Sequence, residues 1–170
     1  MNKALDSNCK EEILSFDANE LQKYEPNRYP FLYIDRVTEC VPGKYAKGYK
    51  NLTNNEWFFP KHYEGHSFMP AAIQTEALSQ MVTIAFTTLP DVDSVDVKGA
   101  KWSAKFHKEI YPGDRLDIEA FVKKFNRGVG VGYAYGYVDG ELAVEVEVTM
   151  VIPCIFEKYR PRPRKNEEKK

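Results

Sequence analysis

A chain of 170 residues with a formal net charge of −1 can bury one substantial core, and it carries no global field that would draw it to nucleic acid or an anionic membrane surface. No apolar run is long enough to cross a bilayer, and the opening MNKALDSNCKEEILSF lacks the apolar stretch of a secretion signal. Cys9, Cys40 and Cys154 are odd in number and lack metal-ligand spacing, which predicts free thiols in a reducing, cytoplasmic setting.

Residues 1–23 are polar with short amphipathic turns, and predict an arm or short helix on the surface. Asn27-Arg28-Tyr29-Pro30-Phe31 interrupts, Leu32–Val37 reads as a strand, Pro42-Gly43 as a turn and Lys44–Leu52 as a second strand. The stretch from Trp57 to Met81 has two parts of opposite character. A turn-rich approach carries His62 and His66 and closes at Met69-Pro70; from Ala71 a helix stays apolar to Phe86. Proline suits the first helical position, where its fixed φ is already helical and its missing N–H is no loss. On this helix Glu76 stands among Ile73, Ala77, Leu78, Met81 and Val82. A helix apolar on nearly all sides is expected to be buried, and burial penalises the charged form of an acid placed on it. Leu89-Pro90-Asp91 ends the helical period.

Beyond that break the period becomes two. Ala100, Trp102, Ala104 and Phe106 alternate with polar partners, and Leu116, Ile118, Ala120 and Val122 do so again after the Pro112-Gly113-Asp114 turn. Val129, Val131, Tyr133, Tyr135 and Tyr137 form a third series, with Gly128, Gly130, Gly132 and Gly136 on the other parity. Glycine along one face of a strand admits a close neighbour, here the buried helix. Asp139-Gly140 signals a hairpin, after which Leu142, Val144, Val146, Val148, Met150 and Ile152 alternate with Glu141, Glu145 and Glu147. One helix needing cover on most sides, and at least four long antiparallel strands, predict an α+β fold whose sheet curls around the helix. Residues 24–153 then form the domain, and the basic, proline-spaced 154–170 an extended or disordered tail.

A loop histidine, a hindered carboxyl and the free N–H groups of a helix start are the raw material of acid–base chemistry. Each residue also has a plainer reading. His62 alone is an ordinary loop histidine, and Glu76 could be a buried acid satisfied by Tyr29 or by a partner's backbone. His107 and Gln80 read as structural, although Gln80 lies one turn beyond Glu76 and could orient it. His62, Glu64 and His66 have a spacing that can gather a metal, but the loop has no cysteine and further ligands would have to be Glu76 or His107, so no metal is predicted. Lys101, Lys105 and Lys108 could guide an anionic carrier or simply form a solvated face.

Several stretches keep a recognisable order and spacing. They are NRYPFLYIDRV at 27–37, NLTNNEWFF at 51–59, Lys61-His62-Tyr63-Glu64-Gly65, Met69-Pro70-Ala71, and Thr75-Glu76-Ala77-Leu78-Ser79-Gln80. Over roughly residues 18–152 this set resembles the FabZ-type 3-hydroxyacyl-acyl-carrier-protein dehydratases of the hot-dog fold, which read G-H-F-P-G, M-P-G and an L-E-A-L-A-Q helix. The resemblance implies an antiparallel sheet wrapped around one long buried central helix. It implies a hydro-lyase of fatty acid biosynthesis that turns (3R)-hydroxyacyl thioesters into trans-2-enoyl thioesters. His62 matches the base that takes the α-proton, Glu76 the acid that assists departure of the hydroxyl, and the Ala71 N–H the donor to the thioester carbonyl. Gly65, Tyr63 and Gln80 match the substrate side of the site. It further implies no cofactor beyond a phosphopantetheine-borne substrate, an acyl carrier protein as partner, and a homodimer with shared sites, with a trimer of dimers as a larger form. Lys61 and Ala71 replace family glycines, Glu64 replaces a proline, His66 stands where a basic residue is usual, and Asn27 where histidine is usual. The first alternative is a hot-dog acyl thioesterase that would use Glu76 to activate water, and the departures at Lys61, Glu64 and Ala71 keep open an inactive acyl-carrier-binding partner of an active paralogue.

Overall fold

The seven-stranded antiparallel sheet of the computed structural model runs in the order β1-β2-β3-β5-β6-β7-β4. The structure describes residues 12–63 and 65–161; the outer parts of the expected arm and tail, with Cys9 and Glu64, lie outside the described residues. The strands are β1 (Leu14–Phe16), β2 (Arg36–Val41), β3 (Tyr45–Asn51), β4 (Lys98–Phe106), β5 (Arg115–Asn126), β6 (Val129–Val138) and β7 (Glu141–Val151). One long helix, α1 (Ala71–Thr87), packs on β3, β5, β6 and β7. This is the hot-dog arrangement.

The glycine stripe explains how the sheet closes on the helix. On β6 the glycine parity is buried and the valine–tyrosine parity half-exposed, so the small face looks inward. A Cβ on Gly130 would lie 2.7 Å from a Phe86 ring carbon, and one on Gly132 would lie 2.5 Å from Val82 Cγ1. Leu78, Val82 and Phe86, one turn apart, form the ridge that this groove accepts. The same face would otherwise strand polar side chains, but Ser79, Thr83 and Thr87 give their hydroxyls to carbonyls one turn back at 2.7, 3.0 and 3.1 Å. The two long hairpins turn at Arg127-Gly128 and Asp139-Gly140, all four with positive φ, the conformation that matches the twist of paired strands.

Four expectations are revised. Part of the predicted surface arm is β1, an edge strand that pairs Leu14 with Cys40 and Phe16 with Val37, and Phe16 is buried against the Tyr24 ring. The start of the expected tail is helical: α2 (Pro153–Phe156) buries Ile155, and a further turn follows at Glu157–Tyr159. Proline at its first position and one apolar anchor favour that turn over an extended chain. The strand expected at Leu32–Val37 begins only at Arg36, because residues 31–33 cross α1 and bond to its Gln80 instead of to a strand. The apolar face expected on β4 is not covered within one chain: Trp102 and Phe106 are each 47% exposed. Among the described residues, Cys40 and Cys154 are free thiols and no helix is long and apolar enough to cross a membrane.

Candidate active site

The loop between β3 and α1 is braced before it reaches the chemistry. Lys50, nearly buried, meets Asp35 at 3.1 Å and Glu56 at 2.6 Å. Burial by itself would pull the Lys50 ammonium down, but these two carboxylates outweigh it and hold its pKa above the ordinary value. Trp57 gives its indole N–H to the Pro30 carbonyl at 3.2 Å, while Phe58 and Phe59 fill the core beneath.

His62 is half-buried on a tight excursion that returns at Phe68, whose N–H donates to the His62 carbonyl at 3.3 Å. Tyr63 and His66 exchange backbone bonds at 3.3 and 3.2 Å, with Gly65 at φ 77 completing the turn. The positive φ is why glycine stands there. The His62 Nδ1 lies 3.0 Å from the Phe68 carbonyl oxygen. A carbonyl only accepts, so Nδ1 donates there, and in the neutral ring that leaves the lone pair on Nε2. The Tyr63 and Phe68 rings, each 4.5 Å away centre to centre, hold the imidazole in place. His66 points elsewhere, to Glu109 at 3.1 Å.

The loop ends where Met69 N–H donates to the Ile110 carbonyl at 2.7 Å. Pro70 is the N-cap rather than the first helical residue, with φ −58 and ψ 141, and α1 starts at Ala71. The first turn of any α-helix leaves N–H groups without partners inside the helix. Here that turn is open, Ala71 and Ala72 being exposed. An alanine at position 71 keeps its backbone N–H as a donor.

Glu76 departs from expectation. Within one chain it is half-buried, not buried, because its part of α1 is left uncovered. Tyr29, offered as a partner from the sequence, is 86% exposed; the partner is Gln80, whose Nε2 donates to Glu76 Oε1 at 2.9 Å. Gln80 does more. Its Oε1 accepts from the Tyr33 N–H at 2.9 Å and its Nε2 donates to the Phe31 carbonyl at 2.7 Å. One buried amide thus replaces a missing strand for residues 31–33 and also donates to the Glu76 carboxylate.

The structure brings Glu76 together with Gln80, and His62 together with Tyr63 near Gly65. Within one chain no hydrogen bond or ion pair joins His62 to Glu76 among the described residues. Lys105 and Lys108 pair with Glu145 and Glu141 at 2.9 and 2.7 Å on the outer face, and His107 with Glu145 at 3.4 Å. The sequence reading missed Glu25. It is buried in a pocket with Glu76, and an acid directly before Pro26-Asn27 was the available signal.

Known proteins resemble this chain in sequence and in architecture. The model of the FabA-like domain matches residues 25–147. The 3-hydroxyacyl-[acyl-carrier-protein] dehydratase FabZ of Clostridium novyi (strain NT) is 39% identical over 140 residues, covering 82% of this chain and 99% of the relative. FabZ of Clostridium botulinum (strain Hall, type A) is 40% identical over 137 residues, covering 80% and 95%. Among solved structures, a chain of the dehydratase heterocomplex ApeI:P from Xenorhabdus doucetiae superimposes with a TM-score of 0.67 at 13% identity, over 82% of this chain and 95% of that one. An uncharacterized protein, PH1136, from Pyrococcus horikoshii does so at 0.61 and 12%, over 76% and 91%. The structural matches speak for the fold alone, whereas the sequence relatives match nearly end to end. The chain belongs to the FabZ-type 3-hydroxyacyl-[acyl-carrier-protein] dehydratase family.

Proposed function

We propose that this chain is a hydro-lyase of fatty acid synthesis that removes water from (3R)-hydroxyacyl thioesters delivered by acyl carrier protein in the cytoplasm. The observation that carries this reading is the His62 tautomer: a carbonyl holds Nδ1–H, so Nε2 is available as a base. It acts in a chain that also presents an oriented acid and an open helix start, at the family's spacing.

In this reaction His62 Nε2 takes a proton from C2 of the thioester. The charge that develops on the thioester oxygen meets the Ala71 N–H at the positive end of α1, a preorganised donor that needs no rearrangement. The electron pair left at C2 forms the new double bond as the C3–O bond breaks, and the departing oxygen takes a proton from Glu76 and leaves as water. His62 ends with one proton more and Glu76 with one fewer. No electrons are gained or lost, so the elimination needs no cofactor beyond the phosphopantetheine arm of the carrier. Tyr63, 62% exposed, and Gly65 lie on the loop where that arm would arrive.

The unit that works is a dimer. β4 ends the sheet as a nine-residue edge strand, exposed along nearly its whole length, its own Trp102 and Phe106 included. A long edge strand leaves a row of backbone N–H and C=O groups unpaired, which a second strand can take up. A second copy added there, two-fold and antiparallel, would cover the open start of α1 and bring one chain's His62 toward the other's Glu76. Sedimentation tests both the dimer and its stacking as three dimers. The reaction is tested by adding a 3-hydroxyacyl thioester to the pure protein. Enoyl absorbance should grow without release of free thiol, and the reverse hydration should run from enoyl substrate. Thiol release would convert the reading to a thioesterase, and silence in both directions would end it.

A further inference from the structure

The cavity beside Glu76 is small and its lining is mixed. It holds about 100 Å³, the space of roughly three water-sized groups and well below the usual size of a pocket for a long ligand. From Glu76 it follows α1 past Ser79 and Thr83 to Met150. Trp102 walls it on the side of β4: its indole N–H donates to Ser79 Oγ at 3.0 Å, and its ring lies against Gly99, where a Cβ would collide with it. Glu25 lines the same cavity; it follows the short helical turn Leu21–Lys23 and is 1% exposed. Its Oε1 accepts from the Asn27 N–H at 3.0 Å and from Asn27 Nδ2 at 2.8 Å. Its Oε2 is buried and has no hydrogen-bond partner among the described residues. The neighbouring cation does not rescue it: Arg28 Nη1 donates to the backbone carbonyls of Glu25 and Asn27, at 2.7 and 2.8 Å, and Nη2 to that of Gln22 at 2.9 Å. A buried polar atom without a partner is destabilising, and a ligand that supplies the partner relieves it.

We propose that this cavity seats the acyl tail of the substrate and that Glu25 selects a short tail bearing a hydroxyl group over a hydrocarbon one. The inference rests on the dehydratase reading and names its substrate class. In that reaction the hydroxyl on C3 leaves at Glu76, so C4 and the atoms beyond it lie next to that carboxyl, where the cavity begins. A long hydrocarbon tail lacks the room there, and even a short one lies against a buried carboxyl that it cannot satisfy. A short tail ending in a hydroxyl fills the same space and offers Oε2 its missing bond. Burial pushes the Glu25 acid up to about 7 despite the Asn27 hydrogen bonds, so near neutrality it is met both with and without its proton. A hydroxyl both gives and takes hydrogen bonds and suits either form. An ammonium group would have to shed its water to enter so small a space, at a far larger cost.

The test is a comparison of tails of equal size. Wild type is given 3,5-dihydroxypentanoyl, 3-hydroxyhexanoyl and 3-hydroxydecanoyl thioesters of one carrier and one configuration at C3; the first two differ only in a terminal hydroxyl for a methyl. The kcat/KM for the dihydroxy substrate should exceed that for the hexanoyl one by at least about tenfold, with the decanoyl one lowest. Glu25→Leu puts an apolar group of similar size at the wall and should reverse the order of the first two. A reversal is a change of ratio, which a general loss of structure does not produce because it lowers both alike. Glu25→Gln keeps the acceptor for Asn27 and a polar group in the place of Oε2, and should keep the wild-type order. If the leucine variant folds poorly, the wild-type ratio decides alone. An equal or higher kcat/KM for the hexanoyl substrate in wild type, decanoyl turnover that matches the shorter tails, or an unchanged order in Glu25→Leu overturns the inference. Turnover of any of the three thioesters leaves the dehydratase reading standing even then, whereas silence on all three sinks both.

Discussion

The two ends of α1 obey different rules. From Leu78 to Thr87 every residue is buried, the ridge of Leu78, Val82 and Phe86 is seated in the glycines of β6, and each hydroxyl on the way is satisfied by the helix itself. At the other end Ala71 and Ala72 are exposed, Glu76 is half-buried and the helix has no side-chain cap. One end is complete within the chain; the other is open and carries the polar groups. A fold that closes its core at one end of a helix can leave the opposite end to a partner and to chemistry without losing the core. Stability and turnover should then separate along one helix.

The largest separation is expected at the open end. His62→Ala and Glu76→Gln should each lower dehydration by ~10²–10⁴-fold, with a melting temperature close to wild type, because neither side chain supports the core. Equal losses of turnover and of melting temperature would erase the contrast. At the closed end Phe86→Ala should cost about 3–5 kcal/mol in urea unfolding, with turnover per folded molecule little changed, since the groove in β6 then holds a void far from the reacting groups.

Between these sits Glu25, whose effect depends on pH. Its folded pKa is raised from 4.5 to about 7, so its contribution to stability is whole below the unfolded value and is lost as pH rises through the folded one. By about pH 8 the penalty is on the order of 3 kcal/mol. Glu25→Gln should therefore gain little at about pH 4 and be clearly more stable than wild type at about pH 8, as read from paired urea curves. The smallest effect is expected on the β4 edge. Phe106→Glu places a charge in the surface assigned to the second copy and should weaken self-association by roughly ten- to a hundredfold, or about 1.4–3 kcal/mol. The monomer so formed should keep its circular dichroism and lose turnover in step with dissociation measured by sedimentation.

Much of this contrast was legible in the residues. The glycine parity of β6 calls for a close neighbour, and the helix is that neighbour; Gln80 lies one turn past Glu76 in the sequence and donates to it. Other features were not legible, for identifiable reasons. Leu32–Val37 alternates like a strand, but only the crossing over α1 decides that Gln80, distant in sequence, takes over the backbone bonds of residues 31–33. The series Ala100, Trp102, Ala104 and Phe106 looks like a covered face because periodicity reports that a face is apolar and not what lies against it. Glu25 was signalled only by its place directly before Pro26-Asn27, a weak sign, since a charged residue in a polar stretch is ordinary until the chain folds over it.

By itself the sequence determined the local alternatives: where the period is 3.6 and where it is two, where glycine and proline force turns, and which short stretches carry an imidazole and a carboxyl at a set interval. These depend on neighbours within a few positions, so they survive being read in one dimension. Only the tertiary structure decided which nitrogen of His62 is free, that Glu76 is held by Gln80 and stays half-exposed, and that Glu25 lies in the same pocket. Proton placement and charge depend on through-space distance and on how much water is excluded, and both are set by segments that meet only when the sheet closes around α1.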